Sequence, residues 1–172
     1  MQVIDWPLIV KKHGPAVWQT AYRLLGNDAD AADCFQETFV CALEVSRRER
    51  VRSFSALLAR LATARAIDRL RQRFRESQVY TDAVDVAAVS SGNPSPTQQL
   101  HTQELAIKLR EALAQLPPQE AQVFCLRFLN DMSYRQIAKE LGIKTNAAGV
   151  LLHRARAKLR DLLETAVIKD EE

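Results

Sequence analysis

Ten arginines fall within residues 47–76 against three acids, so this block is net +7 in a chain that totals only +3. Arginine rather than lysine suits a surface that grips phosphates bidentately and stacks on unpaired bases. Arg65, Asp68, Arg69 and Gln72 share one side of the helix predicted here, with Arg71 and Arg73 flanking them. Arg48 and Arg50 precede it in the basic stretch Ser46–Ser53. A second basic block, residues 119–164, is net +3. Near its end stand Asn146, Ala147, Val150, His153 and Arg154. Asn can pair with an adenine edge, Val or Ala can touch a thymine methyl, and Arg can take a guanine or a phosphate. Two basic blocks separated by an acidic stretch point to two places where a polyanion is held. Residues 1–46 are net −3, and their Asp33, Gln36, Glu37, Val40 and Glu44 lie on or beside one helix face. An apolar Val40 among acids makes that face a candidate partner surface.

Metal and cofactor chemistry has no support. Cys34, Cys41 and Cys125 lack metal-ligand spacing and are expected to be buried free thiols in a reducing compartment. His153 has no second ligand nearby. No apolar run approaches the roughly 20 residues needed to cross a bilayer. The N-terminus lacks the basic-then-apolar layout of a signal peptide, so a cytoplasmic location without membrane insertion is expected.

These residues must be placed by helices, because helical periodicity dominates and strand signals are nearly absent. The fold class expected is all-α, two small helical domains joined by a flexible linker. The first domain covers residues 1–76, the linker 77–103, and the second domain 104–172 with its acidic tail. The linker holds Ser90-Ser91-Gly92-Asn93-Pro94-Ser95-Pro96, and no Lys or Arg occurs from Ser77 through Ile107. A short helix near Thr81–Val89 is conceivable. In the first domain, helices are predicted from about Asp5 to Leu25 and from Asn27 onward, the latter with the stripe Phe35, Thr38, Phe39, Ala42 and Leu43. Ser46–Ser53 reads as a loop. The next helix, about Phe54–Arg75, carries two apolar faces half a turn apart, Phe54/Leu57/Leu58/Leu61 and Ile67/Leu70/Phe74. It must therefore bend or touch two neighbours.

In the second domain a helix from near Gln103 stops at Pro117-Pro118, and another covers about Gln119–Leu129. Ser133 then caps Tyr134–Leu141, Gly142 breaks the chain, and a last helix runs from about Thr145 to Thr165. Ile137, Ala138, Gly142 and Ile143 at these spacings are the pattern of a helix-turn-helix. On the last helix Ala148, Leu152, Ala155, Leu159 and Leu162 face inward. Asn146, Val150, His153, Arg154, Ala157 and Asp161 face outward.

Leu116-Pro117-Pro118-Gln119-Glu120-Ala121, Ser133-Tyr134-Arg135-Gln136-Ile137-Ala138 and Leu152-His153-Arg154-Ala155-Arg156 resemble region 4 of bacterial sigma factors. Asp33-Cys34-Phe35-Gln36-Glu37-Thr38-Phe39 and Ala66-Ile67-Asp68-Arg69-Leu70-Arg71 resemble sigma region 2. Both blocks in this order are similar to the extracytoplasmic-function class and cover about Trp6–Leu163. The resemblance implies that Asp33, Gln36, Glu37 and Val40 dock on the β′ clamp helices of core RNA polymerase. It places Arg48, Arg50, Arg65, Asp68, Arg69, Arg71 and Arg73 on the −10 element and its opened strand. Ser133, Asn146, Ala147, Val150, His153 and Arg154 would meet the −35 duplex, and the second domain would also touch the β flap. It implies promoter DNA and an anti-sigma factor as partners, no cofactor, and no enzymatic activity. The chain departs from the family habit at Leu57 (often Trp), at Ala64 (often Asn) and at Gly149-Val150-Leu151 (often a Lys/Arg-Ser-Arg run).

Two other readings remain at this point. A stand-alone helix-turn-helix regulator would need a dimerisation element, and no heptad seam is evident. A helical adaptor that never meets DNA is hard to square with the net +7 block.

Overall fold

The structure, a computed structural model, describes residues 3–79 and 96–170. Seven α-helices appear among them and no strand: α1 Trp6–Leu25, α2 Asp28–Arg48, α3 Phe54–Val79, α4 Pro96–Gln115, α5 Pro118–Phe128, α6 Tyr134–Leu141 and α7 Thr145–Asp170. Local chemistry explains the ends. Asp5 caps α1 by accepting from the Leu8 N–H at 3.1 Å, and Gly26 closes it at φ 75°, a left-handed conformation that costs glycine little. Asn27 caps α2 by accepting from the Asp30 N–H at 2.8 Å. Ser53 accepts from the Ala56 N–H at 3.2 Å and starts α3.

Several features differ from the sequence reading. The basic stretch from Ser46 is not all loop, because α2 runs on through Arg48. Ser46 Oγ donates back to the Leu43 carbonyl at 2.7 Å, and cations at 47 and 48 suit the negative end of a helix. The ends of the expected linker are helical too, since α3 reaches Val79 and α4 begins at Pro96. The remainder of that linker, with the conceivable helix near Thr81–Val89, lies outside the described residues. Finally, Cys34 and Cys125 are buried, but Cys41 is only half-buried, on the flank of α2.

α3 meets two sets of neighbours, which accounts for its two apolar faces. Leu57, Leu58 and Ala62 pack with Val17 of α1 and Ala42 of α2, bordered by Trp6, Phe35, Phe39 and Phe54. Leu57 is therefore core. Further along, Ala66, Ile67 and Leu70 share a continuous buried cluster with Leu24 and Leu25 of α1, Leu113 and Leu116 at the end of α4, Cys125 of α5 and Leu159 of α7. A third cluster holds the helix-turn-helix: Val123, Leu126, Met132, Ile137, Ala138, Ala148 and Leu152, with Ala56 and Ala59 of α3 against it. So α3 serves as a wall for both halves of the chain.

Candidate polymerase and DNA interfaces

α2 buries Ala31, Cys34, Thr38 and Ala42, at spacings of three and four. Its opposite face therefore meets solvent: Asp33, Gln36, Glu37 and Val40 are all exposed, Val40 at 56%. Asp30, at the start of the same helix, stands beside this ridge. Burial works against its charge. The Asn27 side chain and the guanidinium groups of Arg73 and Arg69 nonetheless hold its carboxyl below the usual carboxylate range.

The arginines of α3 do not form a free row. Arg69 leans onto α2, with Nη1 3.2 Å from both Asp30 Oδ1 and Asp33 Oδ2, and Nη2 3.0 Å from Glu37 Oε1. Arg73 pairs with Asp30 at 3.3 Å and donates to the Leu25 carbonyl at 2.8 Å. Arg71 turns to the other half, where its Nη1 donates to the Leu116 carbonyl at 2.6 Å. Arg65 Nη2 sits 3.0 Å from Cys41 Sγ on an otherwise exposed side chain. Arg65, Asp68 and Gln72 are exposed as expected, and with Glu37, Arg69, Arg71 and Arg75 they line one polar cleft. Arg48 and Arg50 are exposed at the α2–α3 junction. There a second cleft is lined by Arg47, Arg48, Arg50 and Arg52 together with Leu8, Ile9 and Phe54. A basic rim around an apolar floor can hold a backbone phosphate while an unstacked base rests on the floor. Trp6 and Phe54 meet edge to face at 5.7 Å behind that floor.

The helix-turn-helix is built by its caps. Ser133 Oγ accepts from the Gln136 N–H, and the Gln136 side chain accepts from the Ser133 N–H at 2.9 Å, a complete capping box. Gly142 ends α6 at φ 65°, and the Ala138 carbonyl receives the Ile143 N–H at 2.9 Å. This turn aims α7 so that Ala148, Leu152, Ala155 and Leu159 are buried and Leu162 half-buried, the predicted inward set. Asn146, Val150, His153, Arg154, Ala157 and Asp161 are exposed, and Ala147 is half-buried beside them. Behind this helix Lys158 Nζ bonds both oxygens of Glu120, a carboxylate only 5% exposed. That pair locks α5 to α7.

Several polar residues with structural roles escaped the sequence reading. Asp30, an acid in the first turn of α2, is also the anchor of Arg69 and Arg73. Asn130 lies in the turn between α5 and α6. Its Nδ2 donates to Thr20 Oγ1 at 3.1 Å, and its Oδ1 accepts from Thr63 Oγ1 at 3.4 Å. Arg110 donates twice to the Arg23 carbonyl, from Nε at 3.2 Å and Nη2 at 3.1 Å.

Among the described residues, no helix is long and apolar enough to cross a membrane, and no His, Cys, Asp and Glu cluster could hold a metal.

The sigma-70 region 2 family matches residues 9–76 and the sigma-70 region 4 family matches residues 106–159. Among curated proteins, the chain is 33% identical to the ECF RNA polymerase sigma factor SigE of Mycolicibacterium smegmatis over 92% of its length, spanning 62% of that relative. It is 31% identical to the RNA polymerase sigma factor CarQ of Myxococcus xanthus, covering 88% of this chain and 85% of that one. It is 30% identical to the ECF RNA polymerase sigma factor SigF of Caulobacter vibrioides, covering 84% and 76%. The fold is similar to CnrH, solved in complex with the cytosolic domain of CnrY (TM-score 0.57, 24% identity, 92% and 87% covered). It is similar as well to the sigma factor RpoE of Bartonella quintana, solved with the anti-sigma factor NepR (TM-score 0.57, 23% identity, 94% and 98% covered). With relatives at this identity along nearly its whole length and region 2 followed by region 4, the chain belongs to the extracytoplasmic-function class of bacterial RNA polymerase sigma factors.

Proposed function

We propose that this protein binds core RNA polymerase, directs it to a specific set of promoters and helps to melt the −10 region, acting in the cytoplasm by binding free energy alone. The observation that carries the reading is an exposed recognition face on α7 in the same chain as an arginine-rich α3. Residues 1–76 form the module for core polymerase and the −10 element, and residues 104–172 the module for the −35 element. Asp33, Gln36, Glu37 and Val40 meet the β′ clamp helices: an exposed acidic ridge around one apolar side chain matches a basic partner helix with an apolar centre.

The −10 strand runs along the rim of Arg48 and Arg50 and onto Arg65, Asp68, Arg69, Arg71 and Arg73. The −35 duplex receives the N-terminal part of α7, where Asn146, Ala147 and Val150 face base edges and His153 and Arg154 face the strand. Ser133, exposed at the start of α6, lies at the backbone beside them. The second half touches the β flap. An anti-sigma factor is the expected inhibitory partner, as NepR is for a protein of similar fold. The stand-alone regulator is disfavoured by the region 2 match over residues 9–76.

The test is run-off transcription on genomic fragments with purified core polymerase. Added chain should produce discrete transcripts that core alone does not. Binding to fragments without core-dependent transcripts would instead favour the stand-alone regulator.

A further inference from the structure

A cleft of about 430 Å³ opens where the C-terminal parts of α1, α3 and α4 meet. That volume falls within the range of small-molecule sites, roughly 300–1,000 Å³. Its walls are apolar: Leu25 of α1, Leu70 and Phe74 of α3, Ile107 and Ala114 of α4. Leu25, Leu70 and Ala114 are buried, Phe74 is half-buried, and Ile107 is 45% exposed.

Two guanidinium groups stand in the same cleft. Arg73 has a counter-ion, since it pairs with Asp30 at 3.3 Å. Arg110 has none among the described residues. Its Nε and Nη2 donate to the Arg23 carbonyl at 3.2 and 3.1 Å, and its Nη1 meets no acceptor there. Burial and the Arg73 charge beside it push the Arg110 guanidinium below its usual range, with Tyr22 working the other way. Gly26 is what admits this side chain. A Cβ at that position would fall 2.7 Å from Arg110 Cζ and 2.8 Å from Nη1, so any larger residue would push the guanidinium off the Arg23 carbonyl. A cation half-buried beside a second cation, with no acid of its own, is held at a cost that an anion removes.

We propose that this cleft binds a small anionic amphiphile, a single-chain carboxylate. Its head meets Arg110 Nη1 in the field of Arg73, and its chain lies on Leu25, Leu70, Phe74, Ile107 and Ala114. Each part of the ligand answers one feature of the site. A neutral hydrocarbon would leave the guanidinium without a counter-ion. A bare phosphate would leave the apolar walls wet. Glu111, the exposed acid of the lining, disfavours a polyanion and suits a head with a single charge.

Such binding needs neither polymerase nor promoter, although Arg73 also stands in the proposed −10 row. The test therefore uses the full chain alone. The probe is decanoate, kept below its micelle-forming concentration and titrated by calorimetry. The parent should bind one equivalent, and its thermal midpoint should climb with decanoate concentration. Decanol has the chain without the charge, and acetate has the charge without the chain. Each should bind at least about tenfold more weakly than decanoate. Arg110→Gln removes the partner of the head and should weaken decanoate at least about tenfold. Ile107→Glu, a change at an exposed position, sets a like charge in the path of the chain and should weaken it as much. Its helical circular dichroism should match the parent, so it decides the matter if Arg110→Gln fails to fold. Phosphatidylglycerol vesicles, which offer anionic heads and apolar chains as a membrane, should not carry the protein with them on flotation.

A parent that binds no decanoate overturns the proposal. So does equal affinity for decanoate and decanol, or for decanoate and acetate. A folded Ile107→Glu chain that binds as the parent does would place the ligand elsewhere, and co-flotation with the vesicles would replace the free carboxylate with a membrane lipid.

Discussion

Arg69 Nη2 donates to Glu37 Oε1 at 3.0 Å, so the arginine assigned to the −10 strand is tied to the ridge assigned to polymerase. Its Nη1 holds Asp30 and Asp33 as well, which makes one half-exposed cation the counter-ion of three acids. Arg69→Ala should lower stability at pH 7 by about 1–2 kcal/mol, because three carboxylates then face one another without it. The pH dependence gives the sign. Asp30 has a folded pKa below its ordinary value. Such a carboxylate contributes stability above its unfolded pKa of about 4 and loses it as pH falls through the lower folded value. Urea unfolding should show the parent–variant gap closing below about pH 4. A gap that persists in acid would mean that Arg69 acts by packing.

Glu37→Lys should weaken core binding at least about tenfold, or about 1.4 kcal/mol. It reverses a charge at the centre of the exposed ridge and sets a second cation beside Arg69. Glu37→Gln, which keeps the shape without the charge, should lose less. Competition between parent and variant for limiting core in a pull-down reads both, and parity among all three would remove α2 from the polymerase contact.

Gly149 stands in the second turn of α7, and a Cβ added there meets nothing within 4 Å. Gly149→Ala should therefore stabilise the chain by about 0.5–1 kcal/mol, since glycine costs that much in a helix interior. A rise in the urea midpoint is the expected reading. Binding of the −35 duplex by the same variant reports whether DNA uses the space that the missing methyl leaves.

Arg154→Ala and Val150→Ala should fail differently. Arg154 is exposed and charged, so its loss should reduce the salt slope of duplex binding by about one if it meets phosphate. Val150, 49% exposed and apolar, should change discrimination at one base pair and leave the salt slope alone. Titrations across salt on a promoter recovered by run-off transcription separate the two. Equal slopes for Arg154→Ala and the parent would take Arg154 off the phosphates.

What was legible in the sequence is what local chemistry dictates. The inward and outward sets of α7 follow from a 3.6-residue period, and Ser133 announces the cap of α6 before any packing is known, although the return bond from Gln136 that completes the capping box was not read. The two faces of α3 also told that it either bends or serves two neighbours, and packing decides for the neighbours. Which neighbours was not legible, because an apolar stripe does not name its partner. The destinations of Arg71 and Arg110 were hidden for a sharper reason. Their acceptors are the carbonyls of Leu116 and Arg23, and every residue carries a carbonyl. Ser46-Arg47-Arg48 looked like loop because Ser and clustered charge usually are. In place, they are the last turn of α2, with the Glu49 N–H bonded to the Val45 carbonyl at 2.9 Å.

A wall shared by two rooms carries a liability. Ile67 and Leu70 of α3 are covered on one side by Leu24 and Leu25 and on the other by Leu113 and Leu116. Separating the halves would turn that seam to water. Exposed apolar seams are what proteases and chaperones bind. Whatever binds one half of the chain apart from the other must therefore cover that seam as well.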